Sequence, residues 1–268
     1  MLILNYVVVP FLVAGLGYFF IIFIFYGAGI LNAQLSSQIL VGVILLGVAL
    51  CIAMVIVWTD LSKGNLALGV SFVAWNSFIQ VLSTPVLVYL LARTTVTIYP
   101  LLILESVLFY LLIPLITGIL TRKFFQNKSY FNGLLKMLGN VQTIALLFTI
   151  IVIFWGEGSG ILEYPSLIWM IGIVMFIFYL ILFHIGYFVS RKLNFNYADS
   201  TAIGYSVSAR DFEISIAIAI SAFSIYPFVV ITTAIGPLLE IPLMLIIVWI
   251  QLNRKRHFET SVSDKNGQ

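Results

Sequence analysis

The sequence predicts an all-α polytopic membrane bundle, and three observations carry that prediction. Apolar residues make up 62% of the 268 and charged residues 9%, with mean hydropathy +1.15, whereas soluble domains average about 45–50% apolar and ~25% charged. The apolar residues fall into continuous runs near the ~20 residues that a helix needs to cross about 30 Å of hydrocarbon. These runs also lack the alternation of a barrel strand, and in lipid only helices or closed barrels satisfy every backbone group.

Taken in order, the predicted spans are 4–26, 38–58, 66–92, 97–120, 137–155, 163–190, 199–223 and 225–251. The first has no basic n-region and no cleavage site ahead of a polar start, so it reads as a span, not as a removable signal. Basic residues in short loops set orientation. Arg122, Lys123, Lys128 and Lys136 lie between spans four and five, Arg191 and Lys192 after span six, and Arg254, Lys255 and Arg256 after span eight. All three places fall on one side, which predicts cytoplasmic N- and C-termini in the cell membrane; Arg93 is the one dissenter. The residues from 253 to 268 read as a polar, disordered tail. The length leaves no room for a separate soluble domain.

Ionisable residues inside apolar spans are costly and usually mark a pathway or face the bundle interior. Span seven carries Arg210, Asp211 and Glu213 near its middle. On a continuous helix Ser206, Arg210 and Glu213 share a face, so that Arg210 and Glu213 can pair while Ser208, Asp211 and Ser215 line the adjacent one. Alternatively the run is two short segments joined by a solvated loop, or a discontinuous helix with unwound backbone at the midplane, for which Gly204 and the Ser-rich stretch are suited. In span three Asn76, Gln80 and Thr84 recur every four residues, and in span eight Thr233 and Glu240 do the same around Gly236 and Pro237. Such stripes serve interhelical hydrogen bonding or solute lining. Glu240 needs a partner or a proton. His184 reads as hydrogen-bonded structure.

Cys51 is the only cysteine, which excludes an internal disulfide and a multi-thiolate metal site within one chain. Alone and mid-span, it reads as a small hydrophobe. No glycine-rich phosphate loop, paired-histidine metal motif or nucleophile elbow is present, so neither ATP-driven transport nor enzymatic chemistry is expected. No cofactor, resident metal or nucleic-acid partner is expected, and oligomeric state is not readable. An offset of 160 residues sets Asn76-Ser-Phe-Ile-Gln80 against Gly236-Pro-Leu-Leu-Glu240 and Cys51 against Asp211. That offset spans five helices and would invert the second copy.

The stretch Cys51-Ile-Ala-Met-Val-Ile-Val-Trp-Thr-Asp-Leu-Ser-Lys-Gly-Asn65 resembles the fourth span and following loop of the arsenite-efflux permeases, of the bile acid/arsenite/riboflavin transporter superfamily. Asn76-Ser-Phe-Ile-Gln80, Asp211-Phe-Glu-Ile-Ser-Ile-Ala217 and Gly236-Pro-Leu-Leu-Glu-Ile-Pro242 agree with the same family in order. The resemblance implies a fold of two inverted five-helix repeats in which two broken helices, here spans 38–58 and 199–223, cross at the substrate site. By it the chain begins near the family's third helix, so that 1–92 holds three spans of the first repeat and 93–252 all five of the second. It further implies a carrier that exports arsenite, with antimonite as a related substrate, by proton antiport. Cys51 would be the soft ligand for trivalent arsenic, Glu213 the proton carrier, and Arg210, Asp211 and Asn76 further lining, with Gln80, Ser208 and Glu240 in support. A thiophilic solute held by one thiol can be released where three would trap it. Two departures stand out. The family's arginine before the cysteine is here Leu50, and its paired asparagines before Phe-Glu are here Arg210 and Asp211. The competing expectation is sodium-coupled uptake of an organic anion, with Arg210 binding the anion and Cys51 incidental.

Overall fold

The computed structural model describes residues 1–51, 54–93, 95–97 and 99–266, without the side chains of 143, 146 and 256–266. The described residues form helices and short connections. The helices are α1 (Leu4–Tyr26), α2 (Ala33–Val48), α3 (Met54–Leu61), α4 (Leu66–Ala92), α5 (Pro100–Phe125), α6 (Phe131–Glu163), α7 (Pro165–Lys192), α8 (Tyr197–Ser208), α9 (Phe212–Ala222) and α10 (Pro227–Asn266). Their starts follow local chemistry. Asn32, Asn65 and Asn196 each accept a hydrogen bond from the backbone N–H three residues on, the N-cap geometry that short polar side chains favour. Pro100 and Pro165 open their helices, where a missing N–H costs nothing.

The eight expected spans correspond to six long helices and two broken ones, α2–α3 and α8–α9. Two differences from the sequence reading have local causes. Helix α6 runs through Lys136 and Glu157, well beyond 137–155, because polar residues end an apolar run without ending helical hydrogen bonding. Helix α10 continues through Asn266 where a disordered tail was expected from 253, since that stretch holds neither proline nor glycine before Gly267. Gly267 and Gln268, and the side chain of Arg256, lie outside the described residues.

The two ends of the bundle are tied separately. At the end bearing the basic loops, Asn65 donates to Asp199 Oδ1 (2.7 Å) and to Ala198 O (2.9 Å), and the Tyr197 hydroxyl donates to the carbonyls of Ser62 and Gln251. At the other end, Thr97 N donates to Tyr226 Oη and Phe228 N to Gln38 Oε1. Helix α2 sits in the centre, fully buried from Gln38 to Val48 between α1, α4 and α10. Helix α6, in contrast, is largely bare: Trp155 is 89% exposed and Phe148 64%.

Without a hydrophobic force between helices in lipid, close packing depends on small residues. One example joins α7 to α8, where a Cβ on Gly186 would lie 3.1 Å from Gly204 Cα, and one on Gly204 would lie 2.8 Å from the Phe183 ring. Gly204→Val is therefore expected to overpack this contact at a cost of about 1–3 kcal/mol. A thermal unfolding midpoint in detergent matching the wild type would show that α7 and α8 tolerate separation.

Candidate functional site

Where α2 and α8 end, each chain crosses the other and recovers from it the hydrogen bonds its own helix has lost. Cys51 N donates to Ala209 O (3.3 Å) and Asp211 N donates to Ala49 O (3.0 Å). Leu50 and Arg210 thereby pair as an isolated antiparallel bridge. At membrane depth an unpaired backbone group costs several kcal/mol, so this reciprocal pair is what permits two unwound segments there. Both onward helices restart from a side chain at the crossing: Met54 N donates to Cys51 Sγ (3.2 Å), and Ile214 N to Asp211 Oδ1 (2.9 Å). The Ser215 hydroxyl contacts both Asp211 O and Leu45 O, fastening α9 to α2.

On one side of the crossing lies a cavity of about 390 Å³, lined by Cys51, Met54, Ser77, Asp211, Glu213, Ile214 and, from α5, Tyr110, Leu111, Pro114 and Leu115. One water needs only ~10–15 Å³ of such space, so a small hydroxylated solute fits. The Asp211 and Glu213 carboxylates interact with each other. The cavity therefore presents one thiol, a neighbouring Met54 thioether and a pair of carboxylates, soft donors beside groups that accept hydrogen bonds or carry a proton.

The remaining expected residues lie behind the crossing. Asn76, Gln80, Ser208, Arg210 and Glu240 are all buried and none lines the cavity. Asn76 is held by α1: Asn5 Nδ2 donates to its side-chain oxygen (3.3 Å), and the Tyr6 hydroxyl to its carbonyl (2.9 Å). The Arg210 guanidinium lies 5.3 Å from the centre of the Phe178 ring and donates to Val207 O, while its backbone N–H meets Glu240 Oε1 at 3.4 Å. Glu240 Oε2 accepts from the Tyr179 hydroxyl (2.9 Å). The helical pairing expected between Arg210 and Glu213 does not form among the described residues, because the break at 209–211 ends the helix on which that spacing relies. His184 is hydrogen-bonded to Leu180 O and lies 2.9 Å from Arg254 Nη2, as structure.

Ser77, Tyr110, Tyr179 and Asn5 escape sequence reasoning. Ser77 adjoins the recognised Asn76, a usable signal; Tyr110 is one aromatic residue among many in an apolar span.

A helical membrane bundle with two broken helices crossing at its centre, and ionisable side chains gathered there, is the architecture of a secondary transporter. The chain belongs to the sodium bile acid symporter family, whose profile matches residues 1–164. It is 34% identical to the arsenical-resistance protein Acr3 of Alkaliphilus metalliredigens, over 98% of this chain and 74% of that one. It is 31% identical to the Acr3 protein of Corynebacterium glutamicum, over 94% and 68%. It also resembles a sodium-dependent transporter of Bacillus subtilis, YocS, not characterised further, at 26% identity over 82% and 63%.

Tyr179 supplies the hydrogen bond that completes the Glu240 carboxylate in an otherwise apolar helix. Tyr179→Phe is expected to lower stability by ~1–3 kcal/mol, the usual cost of leaving a buried polar group unpaired. Unfolding of the purified variant in detergent measures it, and an unchanged midpoint would show that Glu240 finds another partner.

Proposed function

We propose that this transporter exports arsenite, with antimonite as a second substrate, across the cytoplasmic membrane in exchange for protons. The observation that carries the reading is the position of Cys51: the chain's only thiol lies at the crossing, in a cavity it shares with Asp211 and Glu213. Trivalent arsenic is thiophilic, and one sulfur binds it reversibly. The two arsenical-resistance relatives support the same substrate. In this cycle Glu213 takes a proton when the solute leaves and gives it up when the next one binds, with Asp211 beside it to share the proton.

The same proposal treats 1–92 and 93–252 as inverted repeats, the first holding three spans. Supporting this, the reciprocal bonds of Ala49 with Asp211 and of Ala209 with Cys51, and the matching caps onto Met54 and Ile214, all sit at the 160-residue offset. The basic residues of the loops support an orientation with both termini in the cytoplasm.

Arsenite accumulation by everted vesicles under a pH gradient tests the reading. Cys51→Ser and Glu213→Gln are each expected to reduce it at least about tenfold, equivalent to ~1.4 kcal/mol of lost transition-state stabilisation. Uptake that ignores the cysteine and follows sodium would instead support organic-anion symport, a reading whose sodium dependence the YocS likeness favours. Because Leu50 and Arg210 pair directly, one cation at either position is expected to serve. Arg210→Leu should abolish transport and the added change Leu50→Arg should restore it; a double variant as inactive as the single one would refute this exchange.

A further inference from the structure

A second compartment, of about 250 Å³, lies between α5 and α9 and is lined by Leu102, Glu105, Ser106, Phe109, Tyr110 and Ser221. Tyr110, 56% exposed at the edge of the bundle, also lines the Cys51 cavity and so borders both spaces. The two spaces are ordered along the membrane normal. Helix α5 starts at Pro100 on the end opposite the basic loops and reaches Arg122 at the basic end; Tyr110 to Leu115 lie midway, and Leu102 to Ser106 nearer the start. Helix α9 starts at the crossing and ends at Ala222 on that same opposite end. A route from Cys51 past Tyr110 to Glu105 and Ser221 thus leads to the side away from the basic loops.

The wall between the compartments has the features of a movable one. Tyr110 sits in a π-type turn, Leu108–Leu112, immediately before Pro114, and such turns recur at functional sites. Beyond it the Ser106 and Ser221 hydroxyls meet at 2.5 Å, one donating to the other while the acceptor donates to a carbonyl of its own helix, Leu102 O for Ser106 or Ala217 O for Ser221. That contact draws α5 and α9 together at the outer mouth, in a pair of helices of which only α9 belongs to the crossing. We infer that Tyr110 is the gate on the exit route from the Cys51 cavity, and that the Glu105, Ser106 and Ser221 compartment is the station a small hydroxylated solute enters when that gate opens. Glu105 and the two serines offer oxygen acceptors but no sulfur, which suits release from a thiol. The inference rests on the export reading for its direction, yet it can be tested without transport.

Cys51 is the only cysteine, so thiol labelling of the whole chain reports this one site. The probe is the membrane-impermeant cation methanethiosulfonate ethyltrimethylammonium, applied separately to right-side-out and everted vesicles. From the side opposite the basic loops, Tyr110→Ala is expected to speed labelling at least tenfold and Tyr110→Leu by a smaller factor. Tyr110→Phe should match the wild type, because bulk and not the hydroxyl closes the route. The rate from the basic side should not change. No acceleration in either truncated variant, or equal acceleration from both sides, would overturn the assignment. Elution as a single species, and complete reaction of Cys51 with a permeant maleimide, confirm that each variant is folded. A chain that fails to carry arsenite but labels as described would refute the substrate and keep the gate.

Discussion

Two backbone hydrogen bonds, Cys51 to Ala209 and Asp211 to Ala49, are the constraint on which the rest of this molecule depends. A broken helix in lipid is untenable unless its freed groups find partners, and here each break supplies the other's. That reciprocity requires the breaks to meet at one depth. It also aims the onward helices α3 and α9 away from a shared centre with Cys51 and Asp211 at their starts. The polar cavity is therefore a consequence of how the backbone is satisfied. Chemistry is available at that point because non-helical geometry has already been accommodated there.

The crossing also sorts side chains by face. Cys51, Asp211 and Glu213 look into a cavity bounded by α5, whereas Asn76, Gln80, Ser208, Arg210 and Glu240 are enclosed by α1, α4, α7 and α10. The first group can meet a solute; the second steadies the elements that carry the first. Glu240 shows how, reaching Arg210 through its backbone and Tyr179 through its hydroxyl, and so linking α10, α7 and the break in one chain of contacts.

Much of this is legible in the sequence because the lipid constraint is severe. Apolar run length gives the spans, and the ionisable residues in span seven single that span out, leaving a break there as one of three readings until the family resemblance favours it. Cys51 is different in kind: nothing in its apolar neighbourhood sets it apart, and only the resemblance of the stretch through Asn65 brought it forward. The Arg210–Glu213 pairing fails for a physical reason, since helical spacing applies only while the helix continues. Tyr110 was invisible because its role comes from where α5 packs, information spread over the whole bundle and absent from any local pattern.

The bridge between Leu50 and Arg210 sets an apolar side chain against a permanent cation across otherwise matching backbone. In the proposed cycle of inverted halves, the two arms are then electrically unequal. One elementary charge crossing a full membrane potential of 100 mV changes energy by ~2.3 kcal/mol, and any fraction of that path traversed by Arg210 contributes in proportion. The potential of the cell thus acts on one arm of the crossing and leaves the other untouched, giving the carrier a built-in electrical polarity that a symmetric pair of leucines would lack.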